Sequence, residues 1–328
     1  MTVSNTVPLT SAVGVPTELY VPPPPPVDLS VSAALRYLKL TPGTTVSISD
    51  SAANIQKNLA TLQSMNARIS AVKASSDQNT TLMVTYKEYT ADKGILAKWG
   101  NNALHQFIFT EVTAQAAGTL WNNDITKSLS IKDTAINIQT NFDSLINIQN
   151  QNPQKITSLT QINTSGLINL NTLQYTAGRD SLIFTKLNKG VQNITITNAN
   201  VSDVIASDGL RLGLASNVKS ISIIDSTDNI DLGIDDLQRV CLKIKTISQN
   251  DRNIDNILEL DALQIRNNAS VLGKIITGYQ LAAQNTAASQ LSSMLANRKV
   301  ISIDVKDSAS NISRNWDRIN SISPACTH

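Results

Sequence analysis

Aromatic residues make up only 4% of this 328-residue chain, and charged residues only 16%. Any core must therefore be built from Ile, Leu, Val and Ala, within a hydrophobic share of 41%. The 27 Lys and Arg nearly balance the 25 Asp and Glu and are interspersed with them, so the chain carries no basic footprint for nucleic acid. Its two cysteines, Cys241 and Cys326, are too few for a disulfide framework or a thiolate metal cluster. Cys241 reads as a small core residue within a helix, and Cys326 as a free thiol. No stretch approaches the roughly 20 consecutive apolar residues of a membrane helix, so membrane insertion is not expected. Residues 1–5 lack the basic region and apolar block of a cleaved signal peptide. Histidine occurs twice, at His105 and His328, and no G-x-S-x-G, phosphate loop, H-E-x-x-H or paired-cysteine motif occurs. The expectation is a protein that is not an enzyme and carries no cofactor.

What is present is repetition. Asp50-Ser51-Ala52-Ala53-Asn54-Ile55 returns as Asp133-Thr134-Ala135-Ile136-Asn137-Ile138. It returns again as Asp225-Ser226-Thr227-Asp228-Asn229-Ile230 and as Asp307-Ser308-Ala309-Ser310-Asn311-Ile312. The four aspartates stand 83, 92 and 82 residues apart, each behind a β-branched run such as Val46-Ser47-Ile48 or Ile301-Ser302-Ile303. Behind each copy lie apolar residues at i, i+4 and i+7: Ile55, Leu59, Leu62; Ile138, Phe142, Leu145; Ile230, Ile234, Leu237; Ile312, Trp316, Ile319. Identical spacing with different residues marks a strand that ends at the Asp and a helix that buries one stripe. Asp and Ser or Thr suit that boundary, because their short side chains accept from the free N–H groups of a first helical turn. Asn54, Asn137, Asn229 and Asn311 are expected to be buried amides bound to the backbone of a neighbouring coil. Trp99, Trp121 and Trp316 read as core.

Each period holds roughly three strand–helix units of about 28 residues, within the leucine-rich range. Short strands separated by helices imply parallel pairing and right-handed crossovers. The fold expected is an α/β repeat, a right-handed parallel β/α solenoid of about ten leucine-rich-repeat-like coils. Residues 1–28, ending in Pro22 to Pro26, read as a flexible Pro-rich arm. Residues 29–45 read as an N-terminal cap, 46–320 as three periods plus a partial fourth, and 321–328 as a tail. Paired short strands in the middle of each period suggest a bent strand or a local hairpin.

The Asp-Ser-Ala-Ala-Asn-Ile-x3-Leu-x2-Leu-Gln block resembles repeats of large bacterial proteins described as hemolysin-type, adhesin-like or S-layer-like. So do Leu173-Gln174-Tyr175-Thr176-Ala177 and Glu88-Tyr89-Thr90-Ala91. The resemblance covers about residues 46–320 and implies type I secretion, an extracellular or cell-surface location and a scaffold role. The glycine-rich calcium nonapeptide of many such proteins is missing.

A metal is the sharpest chemical alternative. At about 4.8 Å per coil, equivalent aspartates three coils apart stand roughly 14 Å from one another, too far to share an ion. The local cluster Asp225, Asp228, Asp231, Asp235 and Asp236 is denser, and Asp225, Asp228 and Asp231 are its calcium candidates, although EF-hand spacing is absent. Asp50, Asn54, Asp133, Asn137, Asp225, Asn229, Asp307 and Asn311 are assigned instead as structural corners. The functional expectation is a scaffold for adhesion or for a surface lattice or filament, self-associating or binding surface proteins and glycans. A module recognising one protein or glycan ligand, or a spacer within a larger secreted toxin or enzyme, are the alternatives.

Overall fold

The structure, a computed structural model, describes residues 26–75, 81–99, 106–162, 166–187, 194–205, 211–251 and 256–322. Residues 1–25 of the expected arm, the last six residues, His105, His328 and Cys326 lie outside these. The chain divides into two compact units: Met1–Asn79 with Asp92–Asn101, and Thr80–Ala91 with Asn102–His328.

In the first unit, helix α1 (Val31–Leu40) precedes strand β1 (Val46–Asp50), which pairs in parallel with β2 (Ile69–Ala74). The second unit carries β3 (Thr81–Thr85), β4 (Gln106–Val112), β5 (Thr126–Asp133), β6 (Ile156–Gln161) and β7 (Ile168–Asn171). After them come β8 (Ile194–Ala199), β9 (Val218–Asp225), β10 (Ile244–Gln249), β11 (Ile257–Asp261), β12 (Gln280–Thr286) and β13 (Val300–Val305). All named pairings are parallel, within sheets ordered β1-β2, β3-β4-β5-β6, β7-β8-β9-β10 and β11-β12-β13.

The expected single solenoid of about ten coils is therefore overturned: among the described residues the strands form four separate sheets of two, four, four and three strands. Two of the breaks have a local cause. The first strands β7 and β11 each meet a side chain from the preceding corner helix where a ladder partner would sit. Asn169 N of β7 donates to Gln139 Oε1 at 2.9 Å, and Glu259 N of β11 donates to Asp231 Oδ2 at 2.9 Å. At the other end of these two breaks, β6 and β10 meet only isolated bridges, at Leu187 and Ile275. The short strand pairs are neither hairpins nor bent strands, since β6 joins β5 while β7 joins β8.

Burial follows the repeated stripe in three of its four copies. Ile55, Leu59, Leu62, Ile138, Phe142, Leu145, Ile230, Ile234 and Leu237 are all buried. In the fourth, Ile312 and Ile319 are half-exposed and Trp316 is 58% exposed, so Trp316 is not the core residue expected. Six of the aromatics meet one another in two groups. Tyr89 meets Phe109 edge-on at 4.9 Å, and Phe184 lies 5.7 Å from Phe142 and 5.2 Å from Tyr175. Cys241 is partly exposed in the turn after the third corner helix, not within the helix.

The corner helices break in the middle in three copies. Ala52–Lys57 gives way to Leu59–Ser64 at Asn58, and Ala135–Thr140 to Phe142–Gln151 at Asn141. Ala309–Arg314 gives way to Trp316–Ile322 at Asn315. Each of these asparagines donates its Nδ2 to the carbonyl four residues back, at 2.8 to 2.9 Å, competing with the helical ladder. The third copy has Gly233 at this position, and its helix Thr227–Arg239 runs unbroken. A Cβ on Gly233 would stand 2.4 Å from Val201 Cγ1, so the glycine admits the neighbouring helix Val201–Ile205. Gly233→Ala is expected to lower stability by about 1–3 kcal/mol through overpacking, outweighing the roughly 1 kcal/mol helix-propensity gain of alanine. A urea midpoint equal to or above that of the unaltered protein would show that Val201 yields instead.

Candidate functional site

The four repeated aspartates share one arrangement. Asp50 Oδ1 accepts from Ser51 N at 2.7 Å and from Asn54 Nδ2 at 2.9 Å. Its Oδ2 accepts from Val31 N at 2.9 Å, which opens the helix before the strand. Asp133 repeats this with Thr134 N, Asn137 Nδ2 and Ala114 N, at 2.8, 2.7 and 2.8 Å. Asp225 binds Ser226 N, Asn229 Nδ2 and Val201 N at 2.8, 2.7 and 2.8 Å. Asp307 binds Ser308 N, Asn311 Nδ2 and Ala288 N at 2.7, 2.7 and 3.0 Å. The Ser or Thr beside each Asp caps the corner helix itself: Ser51 Oγ accepts from Asn54 N at 3.2 Å, and the other three copies do the same.

Each carboxylate thus ties two helix starts together, its own through Oδ1 and the preceding one through Oδ2. Both starts expose N–H groups that lack an intrahelical partner, so a negative acceptor suits them. The asparagines differ from expectation. Asn54, Asn137, Asn229 and Asn311 are exposed, and their amides bind the Asp of their own corner, while the neighbouring backbone is reached by that Asp. The reason is distance along the chain: four residues of helix return the Asn to its own Asp, whereas the strand end places Oδ2 beside the previous helix.

These contacts shape the acidity of the corners. Burial opposes ionisation of Asp50, but donation from Asn54, Val31 and Ser51 outweighs it and holds the carboxyl below its usual value. Asp307 is lowered chiefly by the Asn311 amide, with Ser308 N and then Ala288 N adding to it against a small burial cost. Asp133 and Asp225 are the more deeply buried pair, at 4% and 8% exposure.

The calcium candidates are not brought together. Asp225 is occupied by its corner donors, Asp228 is exposed, and Asp231 faces β11 through Glu259 N. Asp235 accepts from Asn268 Nδ2 at 2.7 Å and Gln264 Nε2 at 3.1 Å, and Asp236 pairs with Arg239 at 2.7 Å. Among the described residues, no group of three or more His, Cys, Asp or Glu is arranged to hold a metal ion. Asp231 is nevertheless unusual, because its Oδ1 is buried without a hydrogen-bond partner. Burial pushes its pKa up to about 6, the Glu259 N–H opposes this, and the Glu259 and Asp228 charges add to it.

Two recurring devices escape the motif. Asp28, Glu111, Asn198 and Asn285 all adopt positive φ, between 48° and 58°, three residues before the N–H that each Asp binds. At the last three of these the ladder register also slips, so a bulge turns the chain toward the carboxylate. Asn and Asp tolerate that left-handed backbone well, and Glu111 is the exception among them. Second, a cation stands immediately before β2, β6 and β10. Arg68 donates to Leu38 O, Thr41 O and Thr44 O, Lys155 to Thr126 O, and Lys243 to Ala215 O. Burial lowers the pKa of both lysines. The Arg/Lys-Ile step at 68–69, 155–156 and 243–244 was the available sequence signal.

No protein-family model matches this chain, and no curated protein matches it. Among the described residues, no helix is long and apolar enough to cross a membrane.

Asp133→Asn is expected to cost about 1–3 kcal/mol, because one face of the amide must then present N–H groups to another N–H. Thermal unfolding measures this, and an unchanged Tm would remove the bracket from the account. The pH dependences of the carboxyls oppose each other. Asp50 and Asp307, depressed below 3.8, contribute stability that is present above that value and lost as pH falls through their folded values. Asp231, raised to about 6, disfavours the fold once ionised, and this penalty fades as pH falls from about 6 towards 3.8. Asp231→Asn, which keeps an oxygen for Glu259 N, should therefore raise Tm at pH 7.5 and leave it unchanged at pH 4. An equal effect at both values would place its origin outside the titration.

Proposed function

We propose that the protein is a non-catalytic scaffold at the cell surface or outside the cell, serving adhesion or the assembly of a surface lattice or filament. The observation that carries this reading is the use of the repeated polar groups. All four corner carboxylates and their asparagine amides are taken up by internal bonds to backbone and to one another, at positions that recur through the chain. Chemistry that recurs at every corner for the same internal bonds is frame, and the Asn-, Ser- and Thr-rich outer surface is left for contacts. The likeness of the Asp-Ser-Ala-Ala-Asn-Ile block to repeats of type I-secreted bacterial proteins supports the extracellular placement. Partners on this reading are further copies of the chain or surface proteins and glycans.

One observation favours the second reading, a module for a single defined ligand. A hollow of about 580 Å³ opens on the outer side of α1, lined by Pro26, Leu29, Ala33, Arg36, Tyr37 and Leu40 among others. It joins an apolar floor to a guanidinium and a phenol, the mixture common in ligand sites. Electron microscopy of the purified protein at high concentration separates the two. Sheets or filaments are expected for a scaffold. Dispersed particles, together with saturable binding of one ligand that Tyr37→Ala abolishes, would overturn it.

A further inference from the structure

We propose that β13 and the helices after it form the interface of a two-fold homodimer, across which the sheet β11-β12-β13 continues into that of a second copy. This names a partner for the self-associating scaffold and in that respect rests on that reading.

The fourth corner is built like the others but is not covered like them. Strand β5 lies between β4 and β6, and β9 between β8 and β10. Among the described residues, β13 pairs with β12 alone. Ile303 and Val305 stand where Leu129 and Ile131, and Ile221 and Ile223, are fully buried, yet both are partly exposed. The corner helices repeat the contrast. Trp316, at 58% exposure, occupies the place of Leu59, Phe142 and Ile234, which are 3%, 0% and 0% exposed. Open strand edge and apolar helix stripe therefore belong to the same end of the unit.

The residue choice at this end differs from the other corners. Ile301 is 43% exposed at the position held by Lys127 and Lys219 in the second and third copies. The first strands β7 and β11 have an N–H blocked by Gln139 and Asp231, whereas β13 has no comparable guard among the described residues. A hydrophobic edge without such protection is a template for another strand.

The occupant follows from the symmetry and charge of β13. A two-fold axis perpendicular to the sheet pairs β13 with itself in antiparallel fashion and keeps both helix layers on one face. The stripes Ile312, Trp316 and Ile319 of the two copies then abut beside the axis. Centring the pairing on Ile303 sets Ile301 against Val305, Ser302 against Asp304 and Lys299 against Asp307. Shifting it by half a residue towards the N-terminus opposes Lys299 to Lys306, and centring on Asp304 opposes that aspartate to itself. Like charges directly across a strand pair disfavour those registers.

Sedimentation of the 328-residue chain between 1 and 100 µM tests this. A monomer–dimer equilibrium is expected, with Ile301→Lys and Trp316→Glu each weakening the dimer at least about 100-fold while leaving the circular dichroism spectrum unchanged. Leu232→Glu, at an 88% exposed position on the third corner helix, should leave it intact. A strict monomer, or a dimer indifferent to both variants, would overturn the proposal. Lattices that still form from Trp316→Glu would overturn the two-fold interface while leaving the scaffold reading standing. A dimer without lattices would do the reverse.

Discussion

A carboxylate placed between two helix starts is the interaction on which the rest of this molecule depends. Asp133 shows why. Its Oδ1 closes the turn into its own helix through Thr134 N and Asn137 Nδ2, and its Oδ2 holds Ala114 N of the helix before. Three donors around one buried anion leave little freedom in the strand end that carries it. The same bracket at Asp50, Asp225 and Asp307 sets the relation between a strand and its two flanking helices each time. Short helices in a chain with few aromatics have little packing energy of their own, so satisfying their first N–H groups matters disproportionately.

The bracket works only with companions that lie outside the repeated hexapeptide. The left-handed residue at Asp28, Glu111, Asn198 or Asn285 turns the preceding chain so that the N–H can reach Oδ2. On the opposite side of β1, β5 and β9, Arg68, Lys155 and Lys243 meet backbone carbonyls near the start of the corner strand. Backbone donors are thus met by an anion and backbone acceptors by a cation, on strands that lie side by side. The same local chemistry limits sheet growth, since Gln139 and Asp231 occupy N–H groups of β7 and β11 that a continuous ladder would have used.

Asp231 lies where these demands conflict. It serves as the acceptor for Glu259 N, yet its second oxygen is buried without a donor and two acidic neighbours stand close by. Gln139, which meets β7 in the equivalent way, does so without a charge. The third corner therefore carries an electrostatic cost that the second avoids, and it also has the unbroken helix made possible by Gly233.

Period, strand ends, helix starts and buried stripes were legible in the sequence, because each rests on local spacing: an Asp that stops a strand, a Ser or Thr that caps, and apolar residues at i, i+4 and i+7. The partners of those residues were not legible. Whether Asn137 or Asp133 reaches the neighbouring helix depends on where a bulge turns the backbone, and that bulge has no motif. Sheet length was misjudged for a similar reason: Gln139 and Asp231 look like ordinary helix-surface residues until the fold sets them against a strand edge. Trp316 satisfies the stripe as well as Phe142 does, but burial needs a second surface. What the sequence by itself determined is the repeated strand–helix corner, a matter of neighbours in the chain. Only the tertiary structure decided how many strands share a sheet and which corner stays uncovered, because both depend on groups brought together from distant positions.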